Sequence, residues 1–321
     1  MLTNILDIVV LYLLRALFWV LKILPNRVSY RISHIITLAI IYSMPRFIKT
    51  ARRNLELVFS AKSLAERELI MKNSFRELAT NLYSFAKNPL LTKESGIAML
   101  DPDKRSELVN VVSQAKSRAG GKGIMIATAH FGNFELGAQL YGLELNCSTC
   151  ILARGFKLPR LNRWWNSRRE LFGNRIFDRK GAYREIERNL SNGESVAVLF
   201  DQNVVRKHAV FVDFFGIKTA TTKALALAVL RTGAPLLLVT LARGGFDKYY
   251  FQATDITASE KLAGIRESDL PLDDKVAMIM EELHRALEQR ILEHPEHWFW
   301  IHRRFKTRPC GDTTDFYGSN L

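Results

Sequence analysis

IATAHFGNFELG, residues 126–137, sets a histidine, two turn residues and a glutamate directly behind an apolar run. The run that leads into it, GIMIATA, suits a strand in the core of a sheet. A continuous helix cannot bring His130 and Glu135 together, because five residues advance about 500°, about 140° past a full turn. His130 therefore belongs to the turn. Gly132 and Asn133 fold the chain, Asn133 takes the N-cap, and Glu135 enters the first helical turn, where the helix dipole keeps its carboxylate ionised. The expectation is that Glu135 folds back onto one imidazole nitrogen and leaves the other free to accept a proton. That arrangement suits a substrate hydroxyl as nucleophile, with no enzyme serine. A histidine buried and satisfied by a carboxylate for structural reasons fits the same spacing.

Around this stretch helices and short apolar strands alternate: helix 104–117, strand 123–129, helix 134–142, strand 149–154, helix 159–171, strand 175–178, helix 181–191 and strand 195–200. Further strands at 209–214, 235–242 and 248–254 surround a helix at 221–232, and a long helix at 273–292 precedes an aromatic, basic tail. This is the rhythm of an α/β fold with a mixed, largely parallel central sheet flanked by helices. Upstream, SLAE (63–66) has capping-box spacing and opens a helix to about residue 86. No boundary or repeat divides the α/β part, so the chain divides into a helical N-terminal region, 1–50, and one domain, 51–321.

The N-terminal region points to a membrane. ILDIVVLYLLRALFWVLKILP (5–25) has the length of a bilayer span and is interrupted by Asp7, Arg15 and Lys22. Arg15 and Lys22 share a helix face, which suits an interfacial helix as well as a spanning one; a core helix of a soluble protein is the third option. The run IITLAIIYSM (35–44) is too short to span and ends at Pro45. If the first helix spans, the cations after it hold the main domain on the cytoplasmic side. The net charge of +14 calls for an anionic partner: nucleic acid, an acidic membrane or a phosphorylated substrate. The apolar first helix and the lack of a recognition motif speak against nucleic acid. Three cysteines, Cys147, Cys150 and Cys310, do not suggest a disulfide framework.

Two more polar clusters follow strands, where α/β enzymes gather reacting groups. FDQN (200–203) offers Asp201 either to a substrate or basic side chain, or to a plain turn. Arg154, Arg160, Arg163, Arg168 and Arg169 interleave with Trp164 and Trp165, a composition suited to phosphate and interface contacts or to a solvated helix face. Near the end, His294 and His297 are three apart without an H-E-x-x-H pattern or a clear third ligand, so no metal is expected.

The ordered set HFGNFE (130–135), RRELFGNRIFDRKGAYREIERNLSNGESVAVLFDQN (168–203), VFVDFFGIKTATTKALALA (210–228) and WFWIHRRFKTRP (298–309) resembles the lipid A biosynthesis acyltransferase family, the lauroyl and myristoyl transferases within the lysophospholipid acyltransferase group. The resemblance implies transfer of an acyl chain from an acyl carrier protein thioester to a hydroxyl of a lipid A precursor at the inner membrane, catalytic domain on the cytoplasmic face. Another membrane lysolipid, aminolipid or glycolipid as acceptor, or coenzyme A as donor carrier, is the alternative. It makes His130 the base and Glu135 its orienting partner. Arg169 and Asp201 then contact substrate, with Arg154, Asn133 and Arg303 as further contacts. No cofactor is implied, and a monomer is expected. This chain carries Phe200 and Asn203 where members often have a proline and a second acid.

Overall fold

The computed structural model describes residues 2–178 and 181–318. The N-terminal third is helical: α1 (Leu2–Ile23), α2 (Asn26–Tyr42), α3 (Pro45–Val58), α4 (Leu64–Lys87), α5 (Lys93–Ala98) and α6 (Pro102–Arg118). Helix α4 starts as its sequence dictates, with the Ser63 and Glu66 side chains each capping the other's backbone N–H. The alternating part then supplies β1 (Met125–Thr128), α7 (Phe134–Leu145), β2 (Thr149–Leu152), α8 (Pro159–Arg169), β3 (Arg175–Phe177), α9 (Ala182–Ser191) and β4 (Ser195–Leu199). A hairpin of β5 (Ala209–Phe214) and β6 (Ile217–Thr222), then α10 (Ala224–Thr232), β7 (Leu236–Gly245), β8 (Lys248–Asp255) and α11 (Leu272–Glu293) complete it.

Six strands form the central sheet in the order β3-β2-β4-β1-β7-β8, parallel throughout except for β8, which returns antiparallel to β7. Side chains alternate between its faces as a pleat requires. Met125, Ala127, Val196 and Val198 enter one core with α3, α4, α10 and α11, while Ile126, Leu237, Val239 and Leu241 enter another beneath α6 and α7. The fold class is the one expected. The strand expected at 209–214 stands outside the main sheet, and the helix expected over 221–232 is α10, which starts at Ala224 because Thr221 and Thr222 close strand β6. Phe214 pairs with Ile217 across a two-residue turn in which Phe215 and Gly216 both have positive φ, 54° and 73°. Such turns match strand twist, and the threonines that follow favour the pleat over a helix.

Helix α1 is long and apolar enough to cross a bilayer over Asn4–Ile23, yet one side of it is docked. Leu11, Phe18 and Leu21 are buried, and Phe18 packs edge-on against Phe85, Trp164 and Trp165. Asp7, fully buried, accepts the backbone N–H groups of Arg160 (2.9 Å) and Leu161 (3.1 Å). These are orphan donors of the first turn of α8, whose own N-cap, Leu158, has no side chain to offer. The acid that interrupts the apolar run is thus an N-cap supplied by another helix. The opposite side, including Ile5, Tyr12, Leu13, Trp19 and Ile23, is exposed. Asp7→Ala is expected to cost about 0.5–2 kcal/mol, the usual worth of a cap, and to speed proteolytic cleavage of α1. Thermal unfolding and limited proteolysis in detergent check both.

Candidate active site

Strands β1 and β4 are neighbours in parallel register, Thr128 opposite Leu199. Two residues further along each strand stand His130 and Asp201, so the register alone sets them side by side at the carboxyl edge. Phe200 N–H still bonds the Thr128 carbonyl there (3.1 Å). Asp201 Oδ1 lies 2.8 Å from His130 Nδ1, and Oδ2 accepts the backbone N–H of His130 (3.0 Å) and the indole N–H of Trp298 (3.0 Å). Burial of Asp201 would raise its pKa. The charge and hydrogen bonds of His130, aided by Trp298, outweigh it and hold the carboxyl at about 2. An ionised Asp201 makes Nδ1 the protonated nitrogen and leaves the Nε2 lone pair directed outward. Gln202 donates its amide N–H to that lone pair at 3.2 Å.

The turn after His130 is clamped on both sides. Gly132 N–H bonds the His297 carbonyl (2.8 Å), Asn133 N–H the Leu241 carbonyl (3.1 Å), and Phe299 N–H the His130 carbonyl (3.0 Å). Gly132 has φ +57°, and a Cβ there would sit 2.0 Å from the Leu241 oxygen, so the position takes glycine alone. The ring of His130 is flanked by Phe134 and Phe299, with centroids at 5.0 and 5.5 Å.

A cavity runs under α7 across the sheet, with about 830 Å³ of empty space, part of it open to solvent, and Phe134, which flanks the imidazole, belongs to its lining. Its floor is the outward alternation of the strands, Ile126 and Thr128, Ala197 and Leu199, Val239 and Leu241, and α7 roofs it with Phe134, Ala138 and Tyr141. Glu135 and Arg169 are charged members of the wall. They hold each other in a fork: Arg169 Nε donates to Glu135 Oε2 at 3.0 Å, and a terminal guanidinium nitrogen donates to Oε1.

The structure therefore brings the expected site residues together in different pairs. The carboxylate on His130 is Asp201, and Glu135 engages Arg169 instead; the N-terminal turn of α7 carries Glu135 away from the imidazole, while register delivers Asp201 to it. Asp201, expected to contact substrate, is 3% exposed with both oxygens engaged by His130 and Trp298. Asn133, expected as a substrate contact, is buried: its side chain caps the Leu136 N–H of α7 and donates to Ser84 Oγ (2.7 Å) and the Tyr249 hydroxyl (3.2 Å), tying α7 to α4 and β8. Arg154 is exposed beyond β2. Arg303 lies over the ring of Tyr317 at 5.9 Å. Of the other cations in the cluster, Arg168 sits among Phe18, Phe85 and Trp164 and donates to the Phe85 and Ala86 carbonyls, a packing role.

Sequence reasoning missed Trp298, Gln202 and His302. Burial pushes His302 down to about 4, so it is neutral, and its Nε2 accepts the Asn203 N–H at 2.9 Å. The only signal for these residues was their place in FDQN and in the aromatic tail. In the C-terminal segment His294, Glu296 and His297 bring donor atoms within 4.8 Å of one another, so the third donor absent from the spacing argument is Glu296. His294 Nε2 lies 2.9 Å from the Tyr250 hydroxyl.

A histidine hydrogen-bonded to a buried carboxylate at the strand ends of an α/β sheet is an arrangement suited to general-base chemistry in an α/β enzyme. The chain belongs to the bacterial lipid A biosynthesis acyltransferase family, whose profile matches residues 2–307. It is similar to the lipid A biosynthesis palmitoleoyltransferase of Escherichia coli (strain K12), 29% identical over 269 residues, 82% of this chain and 80% of the relative. The lauroyltransferase of the same strain is 27% identical over 303 residues, covering 91% and 90%, and its myristoyltransferase 24% over 286, covering 86% and 81%. The protein is an O-acyltransferase of lipid A biosynthesis, and its family and apolar α1 are consistent with membrane association.

Proposed function

We propose that the protein moves a fatty acyl chain from an acyl carrier protein thioester to a hydroxyl of a lipid A precursor, at the cytoplasmic face of the bacterial inner membrane. The observation that carries the proposal is the His130–Asp201 pair, which leaves Nε2 as a base, with Phe134 standing between the imidazole and an apolar cavity. His130 Nε2 takes the proton of the acceptor hydroxyl as its oxygen attacks the thioester carbonyl. The tetrahedral intermediate collapses, the carbon–sulfur bond breaks, and the leaving thiolate recovers the proton from the imidazolium. Asp201 keeps the tautomer and stabilises that imidazolium. The acyl chain lies in the cavity beneath α7, whose sheet side is lined largely by aliphatic side chains. Glu135 acts through Arg169, which it fixes in the cavity wall as a positive charge for the polar end of a substrate. Arg154 and Arg303 meet the anionic glycolipid.

Residues 1–50 anchor the catalytic domain, 51–321, with the exposed apolar side of α1 in lipid, and the enzyme works as a monomer. Its charge of +14 favours the acidic carrier, the phosphorylated acceptor and the anionic leaflet alike. The test is mass spectrometry of a lipid A precursor incubated with purified protein and either acyl carrier protein or coenzyme A thioesters of several chain lengths. A gain of one acyl chain with the carrier protein thioester is expected. Transfer from coenzyme A alone would overturn the donor, and acylation of other lysolipids in place of the precursor would overturn the acceptor.

A further inference from the structure

An acyl transfer through His130 puts negative charge on the former carbonyl oxygen, and a donor must stand beside it. The backbone amides of the HFGN turn are the obvious source, and all four are already engaged. His130 N–H goes to Asp201, Phe131 to the Ala129 carbonyl, Gly132 to His297 and Asn133 to Leu241. Arg169 has Nε and one terminal nitrogen committed to Glu135.

Gln202 is placed differently. Its amide nitrogen stands 3.2 Å from His130 Nε2, at the spot that an acceptor hydroxyl must enter to lose its proton. We infer that Gln202 is the oxyanion donor of the reaction, its N–H resting on the base in the free enzyme and passing to the developing oxyanion when the acceptor displaces it. The inference rests on the acyl-transfer function proposed above. The attacking oxygen and the oxyanion are bonded to the same carbon, so a donor within reach of one is within reach of the other after a small side-chain rotation. The backbone on either side gives that rotation a rigid stem. Asp201 is held by three hydrogen bonds, Asn203 N–H bonds His302 Nε2, and the Asn203 side chain exchanges two bonds with Thr307, each 3.0 Å. The amide thereby serves twice: it satisfies the lone pair at rest, and in the transition state it supplies a donor already oriented.

The test compares wild type, Gln202→Ala and the near-isosteric Gln202→Glu in acyl transfer from acyl carrier protein thioester to lipid A precursor, with kcat and KM measured separately and folding followed by thermal unfolding. Loss of one oxyanion donor is worth about 10²- to 10³-fold in kcat. That loss is expected in both variants, with KM for either substrate within about threefold and an intact unfolding transition. A kcat within about fivefold of wild type in Gln202→Ala, or a loss confined to KM, would overturn the role of Gln202 and leave acyl transfer standing. A wild type that acylates nothing would overturn both.

Discussion

His130→Ala is expected to leave a folded protein whose acyl transfer falls by about 10²- to 10⁴-fold, the range attributable to a positioned general base. The loss should appear in kcat, because the imidazole acts on the reacting hydroxyl while the cavity that would hold the acyl chain lies beneath α7 and is untouched. Folding should survive for a specific reason. Asp201 keeps two of its three donors, the backbone N–H of residue 130 and the Trp298 indole, so removing the ring does not strand a bare buried carboxylate. Single-turnover acylation of a lipid A precursor, read by mass spectrometry beside a thermal melt, checks both halves. Near-normal turnover in the variant would remove His130 from the mechanism.

Asp201→Asn should be nearly as damaging, about 10²- to 10⁴-fold, without removing any group that touches substrate. An asparagine amide directed at Nδ1 favours the other tautomer, which places the proton on Nε2, where a base must be empty. The same substitution has a signature in acid stability. Asp201 titrates at about 2 in the fold against an ordinary 3.8. A depressed carboxyl contributes stability that is fully present above the unfolded value and is lost as pH falls towards the folded one. Wild type should therefore weaken from about pH 4 down to about pH 2 in part through this group, and Asp201→Asn should lack that component. Acid unfolding followed by tryptophan fluorescence separates the two proteins.

The strand–helix rhythm from β1 to β4 and the capping box at Ser63 were legible because each is a local pattern of burial or of side chain to backbone. The partner of His130 was not. Glu135 is five residues away and Asp201 seventy-one, and only the insertion of β4 between β2 and β1 makes the distant one the neighbour. No local periodicity encodes strand order, so the carboxylate nearest in sequence was the natural and mistaken choice. Asp7 escaped for the same reason: within its own helix it is an interruption, and its function is visible only from the first turn of α8. The β5–β6 hairpin, by contrast, was available in the sequence. FFGI followed by a threonine-rich run is a turn and a strand, although the alanine- and leucine-rich stretch behind it resembles a helix throughout.

The cap that Asp7 places on α8 has a mechanical side. Helix α8 begins at that cap and ends, eleven residues later, at Arg169 in the cavity wall. At 1.5 Å per residue it is a strut of roughly 16 Å, pinned at one end to the apolar helix and at the other to the Glu135 fork in the cavity wall. Whatever depth α1 finds in a lipid layer, the strut carries that level through to the cavity wall. With α1 anchored in lipid as proposed, the bilayer becomes the datum from which the height of the cavity is measured, and an amphiphilic acceptor resting at that level would meet the proposed base without being lifted out of it.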